Sequence, residues 1–228
     1  MNQATTIVIP TFDSGASLGR TLDALCGEAV AGPVEIVIAD GGSDDETVAI
    51  AERHGARVVR APRGRGHQLA RGGDEAAGAW LLFLHADTVP EPGWGEALAA
   101  FAAAPDNAER AAVFRFALDD ASPAARRLEH MVAWRTRAMA LPYGDQGLFI
   151  SRAFYRALGG FRRLPLYEDV DMIRRIGRAR LAMLDVRAVT SAARYHGGGY
   201  LPRSARNLCC LGLYFLGIPP RMIAGLYG

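Results

Sequence analysis

The chain has 228 residues, half of them apolar, and a formal net charge of +2. That length can bury a sizeable core in one large or two small domains, and the near-neutral balance excludes the broad basic face of a nucleic-acid binder. The three cysteines, Cys26, Cys209 and Cys210, fit neither a zinc pattern nor CxxC, which excludes an even disulfide framework and points to a reducing cytoplasm.

The opening MNQATTIVIP has no basic segment followed by an apolar core and does not read as a secretory signal. Residues 6–10 (TIVIP) are a β-rich apolar run stopped by proline, the first expected strand. Asp13 or Ser14 then caps a helix on which Leu18, Leu22 and Leu25 recur at i, i+4 and i+7. Residues 34–40 (VEIVIAD) read as the second strand and Gly41-Gly42-Ser43 as a tight turn. Asp44 or Asp45 caps the next helix, which Gly55 closes. Residues 56–61 (ARVVRA) are the third strand, and Arg63-Gly64-Arg65-Gly66 is expected as a flexible basic loop before a helix over 68–77. Residues 80–84 (WLLFL) are the fourth strand; it ends in His85-Ala86-Asp87-Thr88, and Pro90 and Pro92 are expected to forbid its continuation.

This alternation of strands and helices indicates parallel βαβ units in a doubly wound sheet. Crossovers of one hand bring the carboxyl ends of the strands to a common edge, where ligands bind in open α/β sheets. The second half is less regular. Residues 94–104 are helical and 111–118 (AAVFRFAL) strand-like. A long helix starts at Ser122 or Pro123 and stops before Pro142. Then come a Gly144-Asp145-Gln146-Gly147 turn, a strand over 148–151, a helix opened by Glu168-Asp169, and a late strand over 181–189. With no repeat and no linker, one domain is expected over 1–228: a nucleotide half at 1–90, an acceptor and catalytic half at 91–200, and an apolar helical tail at 201–228. The tail's apolar run, residues 208–218 (LCCLGLYFLGI), is 11 long, whereas a bilayer span needs about 20. A packed helix is expected, with Arg203, Arg206 and Arg221 leaving a peripheral membrane contact as the alternative.

An Asp at a strand end is costly to desolvate without a donor, a cation or a metal. Asp87 is such a residue, and Pro10-Thr11, Asp40-Gly41-Gly42-Ser43 and Glu168-Asp169 fall on the same edge or its loops. Taken in order, these motifs resemble a family 2 glycosyltransferase of the GT-A type, from residue 6 to about 175. The resemblance implies a GT-A, Rossmann-like α/β/α sandwich with a mostly parallel central sheet. The activity it implies is transfer of a sugar from a UDP- or GDP-sugar to an acceptor hydroxyl whose identity stays open, inverting and dependent on Mn²⁺ or Mg²⁺. LHAD, GDQG and ED in this order are most similar to a bacterial subgroup some of whose members are labelled arsenosugar biosynthesis glycosyltransferases.

By the same resemblance, Pro10, Thr11 and Asp40 hold the base and ribose, and Gly41 and Gly42 let the backbone bend close to the ligand. Arg65 and Arg71, in RGHQLARG, lie in a segment that lines the nucleotide site and could complement a pyrophosphate. All 26 basic residues are arginine, which weakens any single one as a phosphate signal. His85-Ala86-Asp87 stands at the DxD position, with Asp87 as metal ligand and His in place of the first acid; Mn²⁺ accepts imidazole readily. His196 is a further candidate ligand. Asp145 and Gln146 shape the acceptor pocket, although GDQG alone is an ordinary turn. Asp169 is the expected general base and Glu168 the fallback, with Asp171 and Arg175 supporting them. Other readings are a non-catalytic nucleotide-sugar binder and a sugar-1-phosphate nucleotidyltransferase, the latter wanting a glycine-rich basic loop after the first strand that TFDSGASL lacks.

Overall fold

The computed structural model describes residues 4–28, 32–193, 195 and 200–227. Strand β1 (Thr5–Thr11) places Ile7 and Ile9 on one face and Val8 on the other, all three fully buried. A strand covered on both faces has to be apolar on both, which is why TIVIP is continuous rather than alternating. β1 pairs in parallel with β2 (Val34–Asp40) and β4 (Trp80–Phe83), and β2 pairs in parallel with β3 (Arg57–Arg60). β7 (Leu148–Ser151) lies antiparallel between β4 and β6 (Ala111–Leu118). β8 (Leu181–Thr190) runs parallel to β6, and β5 (Thr88–Pro90) pairs antiparallel with β8 at the edge. The resulting eight-stranded sheet has the order β3-β2-β1-β4-β7-β6-β8-β5.

Helices cover both faces. Against Ile7, Ile9, Ile38 and Leu82 pack Leu18 and Leu22 of α1 (Gly15–Cys26), Ala51 of α2 (Thr47–Arg53), and Trp94 and Leu98 of α4 (Trp94–Ala103). Against Val8, Leu81, Phe83 and Ile150 pack Leu69 of α3 (Arg65–Glu75), Phe154 of α6 (Arg152–Ala157) and Met172 of α7 (Glu168–Ile176). Each fully buried large side chain contributes about 1.5–3 kcal/mol. This is the expected three-layer α/β architecture with a mostly parallel sheet. The switch point lies between β1 and β4, because the chain runs outward from β1 through β2 and β3 and returns to β4 on its other side.

Local chemistry sets the helix starts. Asp45 serves two of them: Oδ1 accepts the Thr47 N–H (2.9 Å) and Oδ2 the Gly15 N–H (2.8 Å). Ser122 caps α5 (Pro123–Met139), its hydroxyl accepting from the Ala125 N–H, and Pro123 takes the first turn, where no N–H is needed.

As expected, β4 ends, at Phe83; a separate edge strand, β5, follows over Thr88–Pro90 and tolerates Pro90 because an edge strand leaves one side of the ladder unpaired. Two expectations are corrected. Arg65 and Gly66 are not a flexible loop but open α3, after Gly64 turns the chain at φ +127°. The tail is two helices, α8 (Tyr200–Phe215) and α9 (Pro220–Tyr227), broken at Gly217 (φ +87°) and Pro219. Their inner side, Cys210, Leu211 and Ile223, packs on Leu141, Leu166, Tyr167 and Val170. No helix among the described residues is long and apolar enough to cross a membrane.

Candidate active site

Thr11 and Asp40 end the paired strands β1 and β2, face each other in register, and are each 1% exposed. Pro10, one residue back, is buried in register with Ala39. The Asp40 carboxylate organises its own loop. Oδ2 accepts the N–H of Gly42 (2.9 Å) and of Ser43 (3.0 Å), while Oδ1 accepts the hydroxyls of Ser43 (2.5 Å) and Thr11 (3.2 Å). Burial by itself would raise its pKa, but the Ser43, Gly42 and Thr11 donors outweigh that and hold the carboxyl below its usual range. Asp40 therefore shapes the DGGS backbone, and Gly42, at φ +90°, completes the bend. Behind this turn the buried Gln68 of α3 donates its amide to the Thr11 and Ala39 carbonyls, pinning α3 to both strand ends. Gly41 lies close enough to Gln68 that an added Cβ would stand 3.0 Å from Nε2.

The acidic side of the site is built from three segments. His85 and Asp87 lie in the loop between β4 and β5. A 3-10 turn, Gly144–Gln146, is drawn against that loop, so that a Cβ on Gly144 would stand 2.6 Å from His85 Nε2. The first turn of α7 supplies Glu168 and Asp169. Asp169 is only partly buried; its Oδ2 accepts the Gly144 N–H (2.8 Å) and its Oδ1 the Val170 N–H (2.7 Å). Tyr167, just before the acids, has a left-handed backbone at φ +64°, unusual for a bulky residue. Its ring is buried against Tyr214 and Val170, which holds that conformation.

Glu168 and Asp169 are treated differently by the fold. The Glu168 side chain is 1% exposed; Oε1 accepts from Arg65 Nε and Oε2 has no hydrogen-bond partner. Burial pushes its carboxyl pKa up, Arg65 opposes that, and Asp169 adds to it. Arg65 thus faces Glu168, and Gly66 beside it packs against the backbone of residues 162–164, where a Cβ would clash with carbonyl oxygens. Arg71 does not join this group: it pairs with Glu75 (2.9 Å) further along α3. Asp171 pairs with Arg162 and Arg175, and Arg175 also donates to the Leu158 and Gly160 carbonyls, bracing the loop that leads into α7.

Asp145 and Gln146 are neighbours with opposite surroundings. Gln146 uses both ends of its amide within the fold, accepting from Thr136 and donating to the Phe114 carbonyl, and so anchors the turn. Asp145 is partly buried, and its Oδ1 is enclosed with no hydrogen-bond partner. Burial drives its pKa up to about 6, with Arg135 opposing, Asp169 adding, Arg65 opposing and Asp87 adding. Asp87, Asp145 and Asp169 thus share one electrostatic neighbourhood. Arg135, whose guanidinium lies 3.6 Å from the centroid of the Tyr143 ring, is the cation of α5 that faces it.

Among the described residues no three histidine, cysteine or acidic side chains form a metal cage. Nucleotide-bound divalent cations need less, taking one or two protein carboxylates and completing their shell with phosphate oxygens and water. Asp87 offers such a carboxylate, and the surplus negative charge around it, with Asp145 Oδ1 buried and unpartnered, suits a hard cation. His196 lies outside the described residues. Sequence reasoning gave no individual role to Gln68, Arg135 or, within the DGGS motif, Ser43. Gln68 could have been noticed as the one amide in RGHQLARG, whereas nothing in the α5 sequence marks Arg135.

The family model described as Glycosyl transferase family 2 matches residues 6–157. The PGL/p-HBAD biosynthesis glycosyltransferases of Mycobacterium tuberculosis and Mycobacterium bovis are 40% identical over 88 residues, 36% of this chain and 34% of theirs, so the match spans about a third of their length. Glucosyl-3-phosphoglycerate synthase from Mycobacterium tuberculosis, solved with Mn²⁺ and UDP-glucose, superposes with a TM-score of 0.66 at 21% identity, covering 95% of this chain and 80% of that one. TarS of S. aureus superposes at 0.64 with 16% identity, covering 91% and 64%. At these identities the two structures show the fold alone. None of these relatives carries the arsenosugar label.

Proposed function

Because this chain belongs to glycosyl transferase family 2, we propose that it transfers a sugar from a nucleoside-diphosphate donor to an acceptor hydroxyl, with inversion at the anomeric carbon. The observation that carries this reading is the placement of Asp169. It is a partly exposed carboxylate fixed by the N–H groups of Gly144 and Val170, beside the Asp87 loop at the carboxyl edge of the sheet.

In this reading the UDP- or GDP-sugar lies across the ends of β1 and β2, where Thr11 and the DGGS turn shape the nucleotide side and Gln68 keeps that turn in place. Pro10, Asp40, Gly41 and Gly42 act there through the backbone they set. Asp87 would hold a divalent cation, Mn²⁺ or Mg²⁺, which would supply positive charge for the departing diphosphate. Inverting transfer leaves the protein one proton to remove, from the attacking hydroxyl, and Asp169 takes it. Both Asp169 oxygens keep a lone pair after the two backbone bonds, and the fixed N–H groups aim the carboxylate before the acceptor arrives. Glu168 is less suited: it is buried and committed to Arg65, and it serves to hold α3 against the first turn of α7. Asp145 faces the acceptor side, and Gln146 supports it from behind.

The test is Asp169→Asn, which keeps shape but cannot accept the proton. Transfer should fall by about 10²–10⁴ while donor affinity barely changes, and Glu168→Gln should cost less. If Asp169→Asn keeps most of its transfer rate when chemistry is limiting, the assignment fails. Tight donor binding with no transfer to any hydroxyl or to water by the unmodified protein would instead favour a nucleotide-sugar binder.

A further inference from the structure

The tail helices are apolar on a side that nothing described covers. On α8, Leu208 is 67% exposed and Phe215 47%; with Gly212 and Leu216 they fall at i, i+4, i+7 and i+8, one stripe of the helix. The opposite side of the same turns, Cys210 and Leu211, is buried against the loop that leads into α7. The stripe continues through the break and onto α9: Leu216 is 81% exposed, Ile218 36%, Met222 64% and Leu226 60%, the last two one turn apart. A helix that is apolar all round is normally buried on all sides. A run of exposed large apolar side chains of this extent marks an interaction surface.

The charges around it choose the occupant. Beyond Arg187, which pairs with Glu91, the chain carries four more arginines and no acidic residue up to residue 228. Arg221 lies exposed on α9 beside Met222, whereas Arg203 and Arg206 point away from the stripe, on the Cys210 side of α8, with Arg203 over the Tyr195 ring. The exposed Arg174 of α7 adds to the rim, its guanidinium 5.9 Å from the Tyr214 ring centroid and 5.5 Å from that of Phe215. A second copy docked face to face would set Arg174 and Arg221 against arginines of its own, and α8 and α9 carry no acid to answer them. A surface of negatively charged lipid headgroups supplies both what the stripe lacks and what the rim attracts.

We propose that the exposed face of α8 and α9 docks on an anionic lipid bilayer, lying in the headgroup plane rather than crossing it. Its apolar stripe sits below the headgroups and Arg174 and Arg221 contact lipid phosphates. The buried side of the same helices holds Leu166, Tyr167 and Val170, so docking places the first turn of α7 close to the membrane surface. This goes beyond the transferase reading and stands whether or not that reading is correct.

Flotation of the purified full chain tests it, using vesicles of phosphatidylcholine alone and of phosphatidylcholine mixed with phosphatidylglycerol. The unmodified protein should float with the anionic vesicles, and raised salt should release it. Leu216→Glu and Met222→Glu alter exposed side chains and should leave the melting temperature unchanged while lowering partitioning by about tenfold or more. Arg221→Glu should act in the same direction by about tenfold. No flotation of the unmodified protein, or equal flotation with neutral vesicles, overturns the proposal. So does a concentration-dependent dimer in light scattering that Leu216→Glu abolishes, because the face would then belong to a second copy.

Discussion

The Asp145 carboxyl sits beside two other acids with its Oδ1 enclosed, and burial of the charged form pushes its pKa up from the ordinary 3.8 to about 6. The folded state therefore binds this proton more tightly than the unfolded chain. Stability from this group is greatest below pH 3.8 and declines as the pH rises through 6. Asp145→Asn removes the titration, so the variant should gain on the unmodified protein by about 2–3 kcal/mol between pH 4 and pH 8. Urea denaturation at the two pH values measures this, and a pH-independent difference would contradict it. Asp87→Asn should weaken Mn²⁺-dependent donor binding far more than nucleoside binding without metal, as read by isothermal titration; equal losses would remove Asp87 from the metal shell. At this scale the acids Asp87, Glu168 and Asp169 were legible because strand ends and helix starts announce themselves in sequence. Whether an acid is buried, paired or partly open was not legible. Glu168 and Asp169 are adjacent, yet only packing of α3 onto α7 seals one and leaves the other partly exposed.

Between elements, the Arg65–Glu168 pair ties the first turn of α3 to the first turn of α7. Arg65→Ala should cost about 3 kcal/mol, the low end for removing one partner of a buried pair because Arg65 is itself about a third exposed. Much of that cost is the stranded carboxylate, so Glu168→Gln in the same chain should recover a large part of it. Urea midpoints of the two single variants and the double variant decide the point, and simple additivity would show that the pair is not coupled. The strands and most helices were readable from apolar runs and caps, since β-branched runs and N-cap residues act locally. The register of α3 was not. RGRG looks like a loop, and it becomes a helix start because Gly66 can lie against the backbone of residues 162–164, a hundred positions away in sequence. Likewise β5 was not expected, because only its place at the sheet edge makes the missing N–H of Pro90 harmless.

For the whole molecule, the tail matters through the surface it covers as well as the one it exposes. Deleting residues 204–228 would uncover Leu141, Leu166, Tyr167 and Val170. A loss of about 3 kcal/mol or more is expected, roughly 6–12 °C in Tm for a chain of this size. Transfer should fall with it, since Tyr167 holds its left-handed backbone immediately before Glu168 and Asp169. An unchanged melting point would show that the tail does not brace α7. By itself the sequence determined the α/β class, the parallel first half and the strand ends that carry Thr11, Asp40 and Asp87, because alternation, turn residues and caps act over a few positions. Tertiary structure decided which of those residues meet. The antiparallel insertion of β7, the docking of Gly144 against His85 and Asp169, the seal of Arg65 over Glu168 and the two-sided tail all depend on contacts between segments far apart in the chain. No local propensity encodes such contacts, and only the packed sheet brings them within hydrogen-bonding reach.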